Sequence, residues 1–349
     1  MAYTVGSRQV INPDKTTHVA TLTAKVGSQD YIEITTFDTV AAVGKTNVFH
    51  TGGPDAFGNP QPGRGDIQKF SFSSQTLVDT TGNLANIGIY NAHKGPANNE
   101  TDGFVVGGTD RTSPTPPFPS TTIQKYPFTI SSGTATDVGD LNFATGGGNA
   151  LSSLTDAYFL SFPAKYEKFP FSIASGTASI LSPDISPFEG TAYSGVASSL
   201  RSAGNTLSDG FWIQSGTEGN IYKFPFASGT SLSDVGDLAV AGRRGANCQD
   251  HDNSFVIWAI SSPTNPNDAT LEKFPFAIAS GTAVDVGTMA PNSFGFRASG
   301  GNSPTDGYVF GATPNQAVAK FPFAISGGTG TPLGPTSPIG VEYSTVSSD

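Results

Sequence analysis

Lys168-Phe-Pro-Phe-Ser-Ile173 is one of six near-copies of a single phrase. The others begin Lys69-Phe-Ser-Phe, Lys125-Tyr-Pro-Phe, Lys223-Phe-Pro-Phe, Lys273-Phe-Pro-Phe and Lys320-Phe-Pro-Phe. Successive lysines are 43 to 56 residues apart. Self-similarity at a period of about 50 marks a repeat architecture, in which each unit buries its apolar face against its neighbours. Within the phrase, Ile123, Lys125 and Pro127 fall on one face of a short strand and Tyr126 and Phe128 on the other. The proline cannot donate to a ladder, so it belongs near a strand end or a bulge.

Working outward, each phrase follows a turn and an apolar run: Thr101-Asp-Gly-Phe-Val-Val106, Thr155-Asp-Ala-Tyr-Phe-Leu160, Ser208-Asp-Gly-Phe-Trp-Ile213, Asp252-Asn-Ser-Phe-Val-Ile257 and Thr305-Asp-Gly-Tyr-Val-Phe310. Asp-Gly before β-branched and aromatic residues is a hairpin signal. After the phrase come a Ser-Gly-Thr turn and a run such as Thr136-Asp-Val-Gly-Asp-Leu141 or Ser233-Asp-Val-Gly-Asp-Leu238. A small-residue stretch then leads to the next Asp-Gly, as in Ser194–Arg201, Ala241–Asn247 and Phe294–Ser299. Each unit therefore holds four short strands, and Gly and Pro interrupt every candidate helix. The reading is all-β: a six-bladed β-propeller of four-stranded blades spanning residues 44–349.

Ile339–Val346 has no partner of its own and aligns with the small-residue first strand. It is expected to pair into the first blade and close the ring, which removes exposed sheet edges. In a competing register Tyr31–Thr36 fills that place. Otherwise residues 1–43 form an extension outside the ring, with Thr17–Val26 and Tyr31–Thr36 as an extra pair of strands.

Gly (42) and Pro (25) make up about a fifth of the 349 residues, yet 25 Phe supply ample apolar area for packed units. The net charge of −10 carries no basic footprint, which excludes nucleic acid as an expected partner. No run of 18 apolar residues offers a membrane span, and the first residues show no signal-peptide pattern. A single cysteine, Cys248, excludes an internal disulfide framework.

The succession of apolar run, double glycine, variable loop, aromatic phrase and turn resembles the kelch repeat. Gly52-Gly53 and Gly107-Gly108 match its double glycine, and Arg201, Arg243 and Arg297 stand where many kelch repeats carry arginine. The chain lacks the usual kelch tryptophan, and most copies keep only one of the two glycines. The Lys-Phe-Pro-Phe-Ala-Ile copies also resemble repeat proteins of marine bacteriophages regarded as structural or kelch-like. Those resemblances imply a propeller and a virion component.

No catalytic constellation converges: there is no nucleophile elbow, phosphate loop or His-Glu-x-x-His helix. The expectation is a non-enzyme without cofactor or metal. Cys248-Gln-Asp-His251 is a two-ligand fragment with no second pair among His18, His50 and His93. The lysines Lys69, Lys125, Lys168, Lys223, Lys273 and Lys320 could line an anion site, but a structural pairing with a turn aspartate (Asp102, Asp156, Asp209 or Asp306) is favoured. Arg64-Gly65-Asp66 and the acceptor Asn99-Glu-Thr101 are read as chance patterns.

Loop lengths carry more. The long segments Thr51–Asp66, Asp110–Thr122, Leu181–Tyr193 and Ser261–Thr270 all join strands two and three or one blade to the next, so they emerge on one face. A rigid scaffold with variable loops is how binding surfaces are commonly built. Phe57, Phe118, Phe188 and Tyr193 are the candidate binding residues there. The expected function is virion structure, decoration or host attachment, with residues 1–43 contacting other virion proteins and the varied face meeting host glycan or protein. The alternative is a cytoplasmic kelch-like module for protein–protein interaction.

Overall fold

A computed structural model describes residues 4–5, 8–9, 21–25, 31–35, 46–51, 65–85, 89–90, 95–110, 118–145, 148–161, 165–182, 200–206, 208–214, 219–227, 231–240, 243–259, 269–289, 299–310, 317–335 and 345–348. No described residue is helical. Six four-stranded antiparallel sheets form a six-bladed β-propeller. Blade 1 comprises Thr345–Ser348, Asn47–Thr51, Asp66–Ser71 and Thr76–Asn83, in order outward from its first strand. Blade 2 comprises Gly95–Asn98, Asp102–Val106, Phe118–Pro127 and Thr136–Thr145. Blade 3 holds Gly148–Ser152, Asp156–Ser161, Lys165–Pro170 and Ser179–Ser182, and blade 4 holds Leu200–Asn205, Asp209–Gln214, Asn220–Pro225 and Ser233–Asp237. Blade 5 holds Arg243–Gln249, Asn253–Ala259, Ala269–Pro275 and Val284–Thr288; blade 6 holds Ser299–Asn302, Asp306–Phe310, Ala317–Pro322 and Thr331–Pro335.

The six first strands neighbour one another in a closed cycle. Thr345–Ser348 pairs antiparallel with Asn47–Thr51. This pairing overlaps the expected Ile339–Val346 only at its end, and residues 339–344 lie outside the described residues. Tyr31–Thr35 pairs with Thr21–Lys25 and not with blade 1. The described first strands of blades 4, 5 and 6 overlap the small-residue stretches Ser194–Arg201, Ala241–Asn247 and Phe294–Ser299 and run beyond their ends; residues 194–199, 241–242 and 294–298 lie outside the described residues. Each is drawn against the tight turn that follows, as in Thr206 N–H donating to Asp209 O and Ser303 N–H to Asp306 O.

The repeated phrase is the interlock between blades. Its two aromatics, at i and i+2, project from one face onto a single ring in the second strand of the preceding blade. Phe169 and Phe171 meet Phe104 at 5.8 and 5.3 Å; Phe274 and Phe276 meet Phe211 at 5.9 and 5.2 Å; Phe321 and Phe323 meet Phe255 at 5.4 and 5.2 Å. Phe224 and Phe226 meet Tyr158, Tyr126 and Phe128 meet Phe49, and across the last junction Phe70 and Phe72 meet Tyr308. Each of the six apolar clusters accordingly spans one pair of adjacent blades, including blade 6 against blade 1. The proline between the aromatics is the last residue of its strand in blades 2 to 6.

The Ser-Gly-Thr turn is an outer staple. Ala178 N–H donates to Asp140 O and Asp140 N–H to Gly176 O, so the turn of blade 3 pairs with the fourth strand of blade 2. The same exchange joins blade 5 to blade 4 through Ala283, Asp237 and Gly281, and blade 6 to blade 5 through Gly330, Thr288 and Gly328. Gly133–Thr134 of blade 2 pairs in parallel with Gly82–Asn83 of blade 1. This explains the recurring Asp-Val-Gly. Gly139, Gly236 and Gly287 have φ of 151°, 150° and 145°, and a Cβ on them would overlap the carbonyl oxygen of Gly176, Gly281 and Gly328. In blade 1 the stretch between phrase and fourth strand shortens to Ser73-Ser74-Gln75, and no Ser-Gly-Thr is present there.

Candidate functional site

Because the strands alternate in direction, the turns joining strands one to two and three to four share one face. The joins between strands two and three and between blades share the other, here the loop face. The turn face is uniform. Asn99, Ser153, Thr206, Asp250 and Ser303 each accept the backbone N–H three residues on, at Asp102, Asp156, Asp209, Asn253 and Asp306. Thr101, Thr155, Ser208 and Thr305 donate their hydroxyls to the aspartate that follows.

That aspartate takes the phrase lysine of its own blade. Lys125 lies 3.0 Å from Asp102, Lys168 3.2 Å from Asp156 and Lys223 3.2 Å from Asp209. The same cations stand over the second-strand ring: Lys69, Lys125, Lys168, Lys223 and Lys273 lie 5.3 to 5.9 Å from the centroids of Phe49, Phe104, Tyr158, Phe211 and Phe255. Each ring is thus held between its own lysine and the next blade's aromatic pair. Burial opposes charge on Lys168, but its hydrogen bond to Asp156 and the nearby Tyr158 and Asp156 outweigh that and raise the ammonium pKa. At about a third exposed, these pairs orient the turn more than they stabilise the ring. In blades 1 and 5 the residue in the aspartate's place is Asn47 or Asn253.

In blades 2, 3 and 5 the residue before the lysine does work that the sequence reading missed. Glu167 and Glu272 are fully buried. Glu167 accepts the backbone N–H of Asn142 at 2.6 Å, the Asn142 amide at 2.8 Å and Phe143 N–H at 3.2 Å. Glu272 accepts Ala239 N–H at 2.6 Å and Val240 N–H at 3.0 Å. Gln124 accepts Ala85 N–H at 2.6 Å. In each case the side chain reaches the preceding blade where its fourth strand turns toward the loop face. Burial pushes the Glu272 carboxyl up, while the two amides it accepts favour the ionised form. The available signal was a polar residue in an otherwise apolar strand: Gln68, Gln124, Glu167 and Glu272 all precede their lysine.

The loop face varies. The spacing between its described strands runs from 2 residues (146–147) to 17 (183–199), with no two blades alike in both. In blade 2 an added small sheet, Ile89–Tyr90 with Thr109–Asp110 and the start of Phe118–Pro127, builds outward there. Of the four candidate binding residues, the backbone of Phe118 opens that strand, opposite Asp110; Phe57, Phe188 and Tyr193 lie outside the described residues.

Cys248 and His251 are not brought together. Cys248 is buried in the interface of blades 5 and 6, where its thiol donates to Tyr308 O at 3.3 Å and burial pushes its pKa up to about 12. His251 is exposed in the turn, 2.7 Å from Asp252. Among the described residues no group of three or more His, Cys, Asp and Glu is placed to hold a metal. Asp66 of the Arg-Gly-Asp sequence is the first residue of a paired strand opposite Asn83 and not a loop tip. Asn99 is committed to the turn that caps Thr101 and Asp102. His50 is buried against Phe310, 4.1 Å between rings, and burial lowers its pKa to about 3.

No protein-family model matches this chain, and no curated protein matches it. What fold and geometry define is a six-bladed β-propeller with one uniform face and one varied face.

Proposed function

We propose that this propeller is a non-enzymatic structural or host-recognition protein of a phage particle, acting as a decoration or tail component. In this reading residues 1–43 attach it to other virion proteins, and the loop face meets host glycan or protein. The observation that carries the reading is the contrast between faces. Turns on one face repeat because they staple blades together, whereas joins on the other differ in every blade and rise from a fixed frame. Such a frame presents variable loops at little cost in rigidity. The kelch likeness adds Gly107-Gly108, which take φ of 65° and 109° at the end of a second strand.

Fractionation of the native source with mass spectrometry tests this. The chain is expected to travel with a virus-sized particle and to be lost from it when residues 1–43 are deleted. A chain that stays soluble at 36.0 kDa overturns the virion reading and favours a cytoplasmic interaction module.

A further inference from the structure

Among the described residues the outer staple joins four of the six junctions: blades 1 and 2, 2 and 3, 4 and 5, and 5 and 6. The remaining two, between blades 3 and 4 and between blades 6 and 1, lie on opposite sides of the ring. Both depart from the pattern in the same ways. The staples on blades 2, 4 and 5 use the residue after a fourth-strand glycine, Asp140, Asp237 or Thr288, as donor and acceptor. In blade 6 Gly334 holds the glycine's place opposite Val318, and the next residue is Pro335, which has no N–H to donate. Gly334 takes a φ of 92°, and a Cβ on it would meet nothing within 4 Å. In blade 3 Ser182 holds that place opposite Tyr166, and Pro183 follows in the sequence. The facing turns are short as well. Lys69 pairs with Val78 and Lys223 with Ser233, 9 and 10 residues on, where the other four lysines pair 11 residues on. Both short turns lack the isoleucine that Ile130, Ile173, Ile278 and Ile325 bring to the stapled interfaces.

A tyrosine takes the staple's place. The second-strand ring that receives the phrase is a phenylalanine at every stapled junction and Tyr158 or Tyr308 at the other two. Tyr158 donates its hydroxyl to Phe226 O at 3.3 Å, where the short turn of blade 4 begins. The Tyr308 hydroxyl is hydrogen-bonded to Gln75 in the short turn of blade 1, where Gln75 takes a φ of 55°. The following blade then buries a polar ring, Trp212 in blade 4 and His50 in blade 1, at a position where the other second strands carry Val or Phe. Opening a stapled junction breaks two backbone hydrogen bonds between blades. Opening either of the others breaks no described backbone bond and lets the buried Trp212 N–H reach water.

We propose that the ring is hinged: blades 1–3 and blades 4–6 are two stapled halves, and the junctions between blades 3 and 4 and between blades 6 and 1 are the seams along which it opens. Each half keeps its own loops in fixed relation, while opening changes the spacing of one half's loops from the other's. The inference stands apart from what the loop face binds.

Thiol labelling of the folded full chain tests it, with N-ethylmaleimide, peptide mass mapping and a series of sub-denaturing urea concentrations. Cys248 is the internal reference: it is buried in the stapled junction of blades 5 and 6, opposite the receiving ring Phe255. Leu151 holds the same position opposite Tyr158 at one seam, Ala97 opposite Phe104 at a stapled junction, and Val48 is buried at the other seam. The thiols of Leu151→Cys and Val48→Cys should react roughly thirtyfold faster than Cys248, the worth of two backbone hydrogen bonds. Their rates should also rise less steeply with urea, because a seam opening exposes less surface than global unfolding. A cavity that merely weakens the whole ring would speed labelling while keeping the steep global slope, so the slope separates the hinge from a folding defect. Val48→Cys changes volume little and carries the test if Leu151→Cys does not fold. Ala97→Cys should follow Cys248. Adding Tyr158→Phe to Leu151→Cys should speed the seam thiol roughly fivefold and leave Cys248 unchanged. Seam thiols that follow Cys248 in rate and slope, or an Ala97→Cys thiol as reactive as theirs, overturn the hinge.

Discussion

His50 sits in the second strand of blade 1, facing blade 6 across the junction that joins the chain's ends, and burial holds its imidazole neutral with a pKa of about 3. In the unfolded chain the same group titrates near 6.5. The unfolded state therefore binds a proton through a pH range in which the folded ring does not. Its stability contribution is complete above about pH 6.5 and is lost progressively as pH falls toward 3. At about 1.4 kcal/mol per tenfold, the gap between the two values corresponds to an upper bound of about 5 kcal/mol. That is comparable to the whole stability of many domains. Glu272 works against it: its raised carboxyl favours the folded state as pH falls, because the folded ring takes up that proton first. The test is urea denaturation of the wild type and of His50→Phe between pH 8 and pH 4. Carboxylates common to both proteins cancel in the comparison. The wild type is expected to lose several kcal/mol more than the variant across that range. Equal pH slopes, or a His50 Hε1 resonance titrating near 6.5 in the folded protein, would refute the argument.

Four further outcomes follow from the interfaces. Phe211→Ala removes the ring that Phe274 and Phe276 pack against and should cost about 3–5 kcal/mol in chemical denaturation. Gly236→Ala places a Cβ into the carbonyl of Gly281 at a φ of 150° and should lower stability by roughly 2 kcal/mol or more, so an unchanged melting temperature would discredit the staple. Cys248, buried with a pKa of about 12, should react with a thiol reagent at pH 8 only as fast as the ring unfolds, at a rate that rises with added urea. The Tyr166 hydroxyl is buried with only a weak contact to the Trp212 indole N–H as a polar neighbour, so Tyr166→Phe should change thermal stability by less than about 1 kcal/mol; a larger fall would reveal a firm partner.

The phrase made blade number, strand order and the third strand legible because an alternating strand with two aromatics on one face can do little but pack a neighbour. The place of the proline at the strand end followed from its missing N–H. The first strands run past the ends of the stretches read for them because their sequences, such as Ser299–Asn302, hold no apolar period, and only the hairpin turn fixes their register. Why Ser-Gly-Thr recurs was invisible, since the partner of each turn is backbone in another blade, 36 to 42 residues away in the exchanges through Ala178 and Thr288. The buried glutamates were missed for a related reason: a Glu before a Lys reads as a surface ion pair until the preceding blade is in place to cover it.

Those glutamates also connect the frame to the face proposed to act. A blade-to-blade join that began loosely would sample many paths, and ordering it on binding would cost affinity. Here Glu167 fixes two residues near the end of the fourth strand of blade 2, Glu272 fixes Ala239 and Val240 just beyond that of blade 4, and Gln124 fixes Ala85 just beyond that of blade 1. The hydrogen bonds go to backbone N–H groups, so they constrain direction and leave the side chains of the join free to differ. Length and composition can then change beyond the clamp without disturbing the interface that holds it. In blades 2, 3 and 5, then, the phrase and the loop face are tied together: the same strand that locks a blade to its neighbour through its aromatics holds, one residue before the lysine, backbone N–H groups near the end of the neighbour's fourth strand, from which its outgoing join departs.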